Sequence, residues 1–227
     1  SIGSDNFGFN TLSKSIHIKG ESTLNSGKLL RVLLQKAIEL GVEINFGADV
    51  KSLERNGSNF LIHTESSEFN ALKVLIATNG FTCNLLPNLP ISPARGQIVL
   101  TSKIPNLKID RSFHLNQGYY YFRNFDGAVM LGGGRHLDRA NESTTNQDTS
   151  PFIQNELEKV LSETILPNHD FTIEQRWAGT MAFGPNNEKD AIVEKQDGNL
   201  FVAARLGGMG VAMSSLVAEK AKNLVLN

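Results

Sequence analysis

Residues 206–215, LGGMGVAMSS, place Gly207, Gly208 and Gly210 between an apolar run, NLFVAAR, and an apolar tail with helical spacing. Glycines at that junction let a backbone approach a ligand closely and adopt positive φ. The first amides of the following helix have no partner within the helix, and its positive end attracts negative charge. The stretch therefore reads as a turn that presents amides to a nucleotide or to a negatively polarised ring. Such turns usually open a dinucleotide fold, with an acidic residue about 20 positions later for the ribose. Here the turn comes too late in the chain for that spacing to be met.

Other chemistries are disfavoured. The five histidines, His17, His63, His114, His136 and His169, show no HxxxH or HExxH spacing, so no metal site is expected. Cys83 is the only cysteine, which excludes an intrachain disulfide framework and favours a reducing compartment. It has no basic neighbour in sequence and reads as a small hydrophobe. A formal net charge of −1 gives no electrostatic footprint for nucleic acid or an anionic membrane, despite Trp177 and the aromatic run GYYYFRNF. No apolar run approaches the roughly 20 residues of a membrane-spanning helix. Ser1 shows no signal peptide and no initiator methionine, so the natural start is expected to lie elsewhere, and a cytoplasmic location is expected.

The elements that must position these residues follow from periodicity. Leu30, Leu33, Leu34, Ala37 and Ile38 fall on one helical face, with Ser26 as the expected N-cap and Gly41 as the left-handed stop. VEINF reads as a strand, DVKSLE and NFLIHTE as a hairpin about Asn56-Gly57, and LKVLIATNG as an apolar strand, Val74 to Ala77, ending in a glycine turn. From about Pro87 the texture changes. PISPARGQIVLTSKIP brackets a strand, and GYYYFRNFDGAVMLGGGR is a hairpin turning at Asp126-Gly127. Residues 138–149 read as an exposed polar loop. Ser150-Pro151 starts a helix with Ile153, Leu157, Val160 and Leu161 on one face. FTIEQRWAGTMAF, AIVEK and LFVAAR give three further strands, which suggests an antiparallel sheet, before the tail helix Val211 to Leu226 returns to an α/β layer.

Four ordered stretches together resemble the flavin-dependent amine and amino-acid oxidoreductases of the D-amino-acid oxidase superfamily, such as glycine oxidase and sarcosine oxidase. They are LNSGKLLRVLLQKAIELGVEINFGADV, VLIATNGFTCNLLP, PARGQIVLT with YYYFRNFDGAVMLGGGR, and RWAGTMAF with LFVAARLGGMGVAMSS. The resemblance implies an α/β (α+β overall) fold. A partial FAD/NAD(P)-binding α/β layer, residues 1–88 and 196–227, would join an antiparallel-sheet substrate domain, residues 89–195, with 1–22 belonging to either. It also implies FAD as cofactor, a small-molecule amine or amino-acid substrate, and oxygen or a quinone as electron acceptor. The family's opening strand and GxGxxG turn are absent from this sequence, which resembles the C-terminal part of a longer enzyme and by itself would bind flavin poorly.

By the same resemblance Gly207, Gly208, Met209, Gly210 and Val211 lie beside the pyrimidine side of the isoalloxazine. Val50 meets the adenine through its backbone, and Ala77, Thr78, Asn79 and Gly80 end a strand at the sheet edge where open α/β folds bind ligands. Reduction of the flavin builds negative charge that amides and a helix N-terminus stabilise. An amino-acid substrate needs a carboxylate anchor, typically a forked arginine with a tyrosine hydroxyl. The family's two clamp arginines are replaced: Met181 stands in WAGTMAF and Gly208 in the glycine turn. Tyr119, Tyr120, Tyr121, Arg123, Arg135 and Arg205 remain as candidates, with Tyr119, Tyr121, Arg123 and Arg205 foremost. Strand alternation sends Tyr119, Tyr121 and Arg123 to one face and Tyr120 to the other, and the sequence leaves open which face meets the substrate. Arg135 reads as a structural ion-pair partner, and Arg95 as bracing the domain junction. Two rival functions stand beside an oxidase: a non-catalytic binding module of the same fold, and a domain acting on a modified tRNA base. The oligomeric state is not read from the sequence.

Overall fold

The structure, a computed structural model, describes residues 2–3, 7–10, 15–185 and 188–227. The expectation for residues 1–22 therefore lies partly outside the described residues. In chain order the elements are β1 (Ile2–Gly3), β2 (Ser15–Ile16), α1 (Ser26–Glu39), β3 (Val50–Asn56), β4 (Asn59–Thr64), β5 (Glu68–Ala71), β6 (Val74–Ile76), α2 (Thr82–Leu85), β7 (Ser92–Thr101), β8 (Ser112–Leu115), β9 (Tyr120–Phe125), β10 (Ala128–Gly133), α3 (Pro151–Val160), β11 (Ile173–Phe183), β12 (Ile192–Asp197), β13 (Leu200–Ala204) and α4 (Gly210–Leu226). The chain is thus a mixed α/β protein. It divides into two compact units, Ser1–Thr23 with Arg95–Gly179, and Leu24–Ala94 with Thr180–Asn227.

The first unit is built on a five-stranded sheet in the order β11-β7-β10-β9-β8. β9 and β10 form the expected hairpin: Phe125 pairs with Ala128, and Asp126 and Gly127 both take positive φ, as a tight primed turn requires. α3 starts where expected, with Ser150 Oγ accepting from the Ile153 amide and Pro151 in the first turn. Its apolar face then fills one side of the sheet. Ile153, Leu157 and Leu161 are fully buried against Val99, Phe122, Val129 and Leu131. Each such leucine contributes about 1.5–3 kcal/mol through burial.

Residues 138–149 are not simply an exposed loop. Glu142 within them is completely buried, where Arg95 Nε and Nη2 donate to its two carboxylate oxygens at 2.8 and 2.6 Å. Arg95 Nη1 also donates to the Asp148 carbonyl at 2.7 Å, and Gln97 Nε2 reaches both Glu142 oxygens. Arg95 therefore holds this loop within its own unit.

The second unit carries two three-stranded sheets, β12-β13-β6 and β3-β4-β5. β12 and β13 do not extend the large antiparallel sheet. β13 pairs antiparallel with β12 and parallel with β6, and it is buried along its whole length, as befits a central strand. Val217 and Ala221 of α4 pack on Ala203 of β13. The β3–β4 turn sits one residue later than expected: Asn56 and Asn59 close the ladder, and Gly57, at φ 62°, takes the left-handed position.

The cap of α1 also shifts by one. Asn25, not Ser26, accepts from the Lys28 amide at 3.0 Å. Gly41, at φ 84°, ends the helix as expected. VEINF is not a strand, because no described strand lies beside it to complete its ladder, and Val42 and Phe46 are exposed. The apolar face of α1 is likewise uncovered among the described residues, with Leu30 67% and Leu33 54% exposed.

Candidate functional site

In the second unit, β6 and β13 run parallel, with Ile76 at the end of β6 opposite Val202 and β13 continuing two residues further, to Ala204. The carboxyl edge of a parallel pair is where side chains and amides of following turns converge. After β6, Ala77 and Thr78 lead to Asn79, which has a positive φ of 48°, and to Gly80. Gly80 is a close-approach glycine: a Cβ there would meet the Met181 carbonyl oxygen and Thr180 Cγ2, each at 2.6 Å. Thr180 Oγ1 beside it is buried with no hydrogen-bond partner among the described residues.

After β13, Arg205 takes φ 65° and Gly207 φ 55°. The start of the turn is tied down. The Leu206 amide donates to Asn79 Oδ1 at 3.2 Å, and the Gly207 amide to the Ala182 carbonyl at 2.9 Å. Beyond it the backbone opens. Gly208, Met209 and Val211 are exposed, and a Cβ on Gly208 would meet nothing within 4 Å. Among the described residues the amides of Gly208, Gly210 and Val211 have no acceptor, and no side chain caps α4. Its first turn holds no acidic residue. Several free donors and an uncapped, positive helix end thus face open space.

Val50, the other residue expected at the cofactor, opens β3 opposite Thr64, with a register irregularity between it and Ser52. Arg205 lies in this unit as well, but the residue is 8% exposed and its guanidinium donates to protein acceptors: the Asp190 and Pro90 carbonyls and the Glu188 carboxylate. Cys83 donates to the Gly80 carbonyl, and burial pushes its thiol pKa up, which keeps it protonated and unreactive.

The first unit holds the remaining candidates. Tyr120 and Phe122 turn toward α3. The Tyr120 hydroxyl donates to Glu156 at 3.4 Å, and burial together with that carboxylate pushes its pKa up to about 12. Tyr121 and Arg123 therefore occupy the opposite face of β9, as strand alternation requires. The Tyr121 ring lies over Gly132, whose missing Cβ would fall 2.5 Å from ring carbon Cε2, and burial raises its hydroxyl pKa. Arg123 stacks over Phe125 at 5.3 Å. Tyr119 stands just before β9 and stacks on His136 at 4.1 Å.

His136 is a residue that sequence spacing missed. Its Nδ1 is buried without a partner among the described residues, and burial and Arg139 hold its pKa down, so the ring is neutral at pH 7. Burial and Arg139 also lower Arg135 from the usual guanidinium value. Among the described residues no group of His, Cys, Asp or Glu could hold a metal ion, and no helix is long and apolar enough to cross a membrane.

Comparison with known proteins agrees with this architecture. The family of FAD dependent oxidoreductases designated DAO matches residues 5–224. The chain is 25% identical over 203 residues to the bifunctional protein ThiO/ThiG of Trichormus variabilis, covering 87% of this chain and 30% of that protein. It is 21% identical over 215 residues to N-methyl-L-tryptophan oxidase of Escherichia coli, covering 86% and 55%. Among solved structures, glycine oxidase from Geobacillus kaustophilus superimposes with a TM-score of 0.76 at 18% identity, over 95% of this chain and 58% of that one. L-proline dehydrogenase from P. horikoshii does so at 0.70 and 20% identity, over 88% and 55%. The chain thus spans about a third to just over half of the length of these relatives.

Proposed function

This chain belongs to the DAO family of FAD dependent oxidoreductases, and from that premise we propose that it supplies part of the flavin site and the substrate unit of an enzyme oxidising a C–N bond of an amine or amino acid. The observation that carries the proposal is the open end of the turn, where the Gly208, Gly210 and Val211 amides have no acceptor among the described residues at an uncapped helix N-terminus. Such donors fit the pyrimidine edge of an isoalloxazine, where negative charge gathers on reduction. When bound, FAD supplies the hydride acceptor, at N5. Ala77, Thr78, Asn79 and Gly80 would border the cofactor from the neighbouring strand end, and the backbone of Val50 would meet its adenine. The orphaned Thr180 Oγ1 beside Gly80 is a further donor available to it.

Tyr119, Tyr121 and Arg123 would bind and orient the substrate, the two hydroxyls and the guanidinium standing in for the clamp arginines replaced by Met181 and Gly208. Neutral His136 behind Tyr119 would hold that ring in place. Oxygen or a quinone as electron acceptor and a cytoplasmic location belong to the same proposal. The uncovered face of α1 fits the strand and GxGxxG turn that the family pattern adds before this part of the fold. The test is the absorbance spectrum of the full-length protein, followed by anaerobic bleaching with a panel of amines and amino acids. A yellow protein bleached by a member of the panel supports the reading. A protein that purifies colourless and takes up no FAD refutes it, and one that holds FAD but is never bleached favours a non-catalytic binding module.

A further inference from the structure

We infer that Asn79 and Arg205 form a paired positioning device that sets the direction of the Gly207–Val211 amides. The two are non-glycine residues in the left-handed region, at φ 48° and 65°, and they follow two neighbouring parallel strands, β6 and β13. An L-residue there is strained by contact of its Cβ with the backbone, which glycine avoids. Something in the side chains must offset that strain, and both side chains are tied. Asn79 Oδ1 accepts from the Leu206 amide, the residue next to Arg205, so one strand end grips the other. Arg205 Nε donates to the Asp190 carbonyl at 2.7 Å, and its Nη1 to the Pro90 carbonyl and Glu188 Oε2 at 3.2 and 3.3 Å. Gly184 leaves the room for this, since a Cβ on it would lie 2.8 Å from Arg205 Nη1.

These ties end at Leu206 and Gly207, immediately before the amides that have no partner. With no side chain capping α4, the course of the turn is set from upstream, by Asn79 and Arg205 together with the Ala182 carbonyl that holds the Gly207 amide. Arg205 therefore acts through the backbone it carries and does not touch substrate. The service this performs for a flavin rests on the function proposed above; the positioning itself does not.

Glycine variants separate the two. Asn79→Gly and Arg205→Gly relieve the backbone strain and remove only the ties, so mere left-handed placeholders would be replaced without effect. In the full-length protein both variants are expected to speed hydrogen exchange of the bonded Gly207 and Met209 amides by at least tenfold and to weaken FAD binding by tenfold or more. Asn79→Asp keeps the acceptor and keeps wild-type exchange. Unchanged exchange in the glycine variants overturns the inference, and an Arg205→Gly protein that fails to fold leaves Asn79→Gly to decide it. Faster exchange with unchanged FAD affinity overturns the service to the cofactor. Faster exchange in a protein whose wild type takes no FAD upholds the positioning and refutes the flavin reading.

Discussion

Replacing Arg95 by Met in the full-length protein should reverse the sign of the acid dependence of stability. Glu142 is fully buried and Arg95 is 7% exposed, and the pair share two charge-assisted hydrogen bonds. Burial pushes the Glu142 carboxyl up, but the bonds from Arg95, Gln97 and Ser150 outweigh it, and its pKa lies below the usual carboxylate value. A depressed folded-state pKa contributes stability above the unfolded value of about 4.3, lost as pH falls through the folded one. In Arg95→Met the carboxylate keeps only Gln97 and Ser150, and desolvation then dominates. Breaking a buried pair this way costs about 3–5 kcal/mol at pH 7. The folded-state pKa of Glu142 would now stand above the unfolded one, so the variant recovers stability as pH falls below it. Urea midpoints measured from pH 7 to pH 3.5 should therefore fall for the wild type and rise for the variant, before general acid unfolding sets in. A variant curve parallel to the wild type, or a loss below about 1 kcal/mol at pH 7, would show that the pair contributes no more than a surface bridge.

Two further substitutions probe the packing that holds the site residues. Gly80→Ala drives a Cβ into the Met181 carbonyl oxygen at 2.6 Å, a backbone atom that cannot swing away. It should cost about 1–3 kcal/mol in urea unfolding, and a neutral result would mean that β11 gives way freely there. Leu161→Ala removes a fully buried side chain behind the β9 sheet, with an expected loss of about 2–5 kcal/mol; thermal unfolding within a degree of wild type would contradict that packing.

Much of the fold was legible because its signals are local. The Asp126-Gly127 turn, the Ser150-Pro151 helix start and the Gly41 stop each depend on a few neighbouring residues, and each appears where it was expected. Where two adjacent residues could serve, the choice fell one position away, as with Asn25 for Ser26 and Gly57-Ser58 for Asn56-Gly57. What local reading cannot supply is a partner distant in sequence. VEINF has strand composition but no described neighbour, and β12 and β13 have strand periodicity that says nothing about which sheet they join. Glu142 looks like any loop acid until Arg95, 47 residues away, buries it.

The candidate site divides along the same line. Gly207, Gly208 and Gly210 announce a turn through composition alone; it is tied down at buried Gly207 and opens at Gly208. The left-handed backbone of Arg205 carries no such signal, because a sequence announces that conformation through glycine and, less often, asparagine, and Arg205 is tied there through its side chain. Arg205 illustrates the consequence. Its charge and its place beside the glycine turn make it resemble a substrate anchor, yet three protein acceptors already occupy its guanidinium. On the function proposed above, substrate recognition would then fall to Tyr119, Tyr121 and Arg123. Replacing Arg123 by Met should then raise KM for an amino-acid substrate by about tenfold to a hundredfold, the loss of about 1.4–2.8 kcal/mol expected when one charge-assisted bond is removed. An unchanged KM would return recognition to residues outside this group.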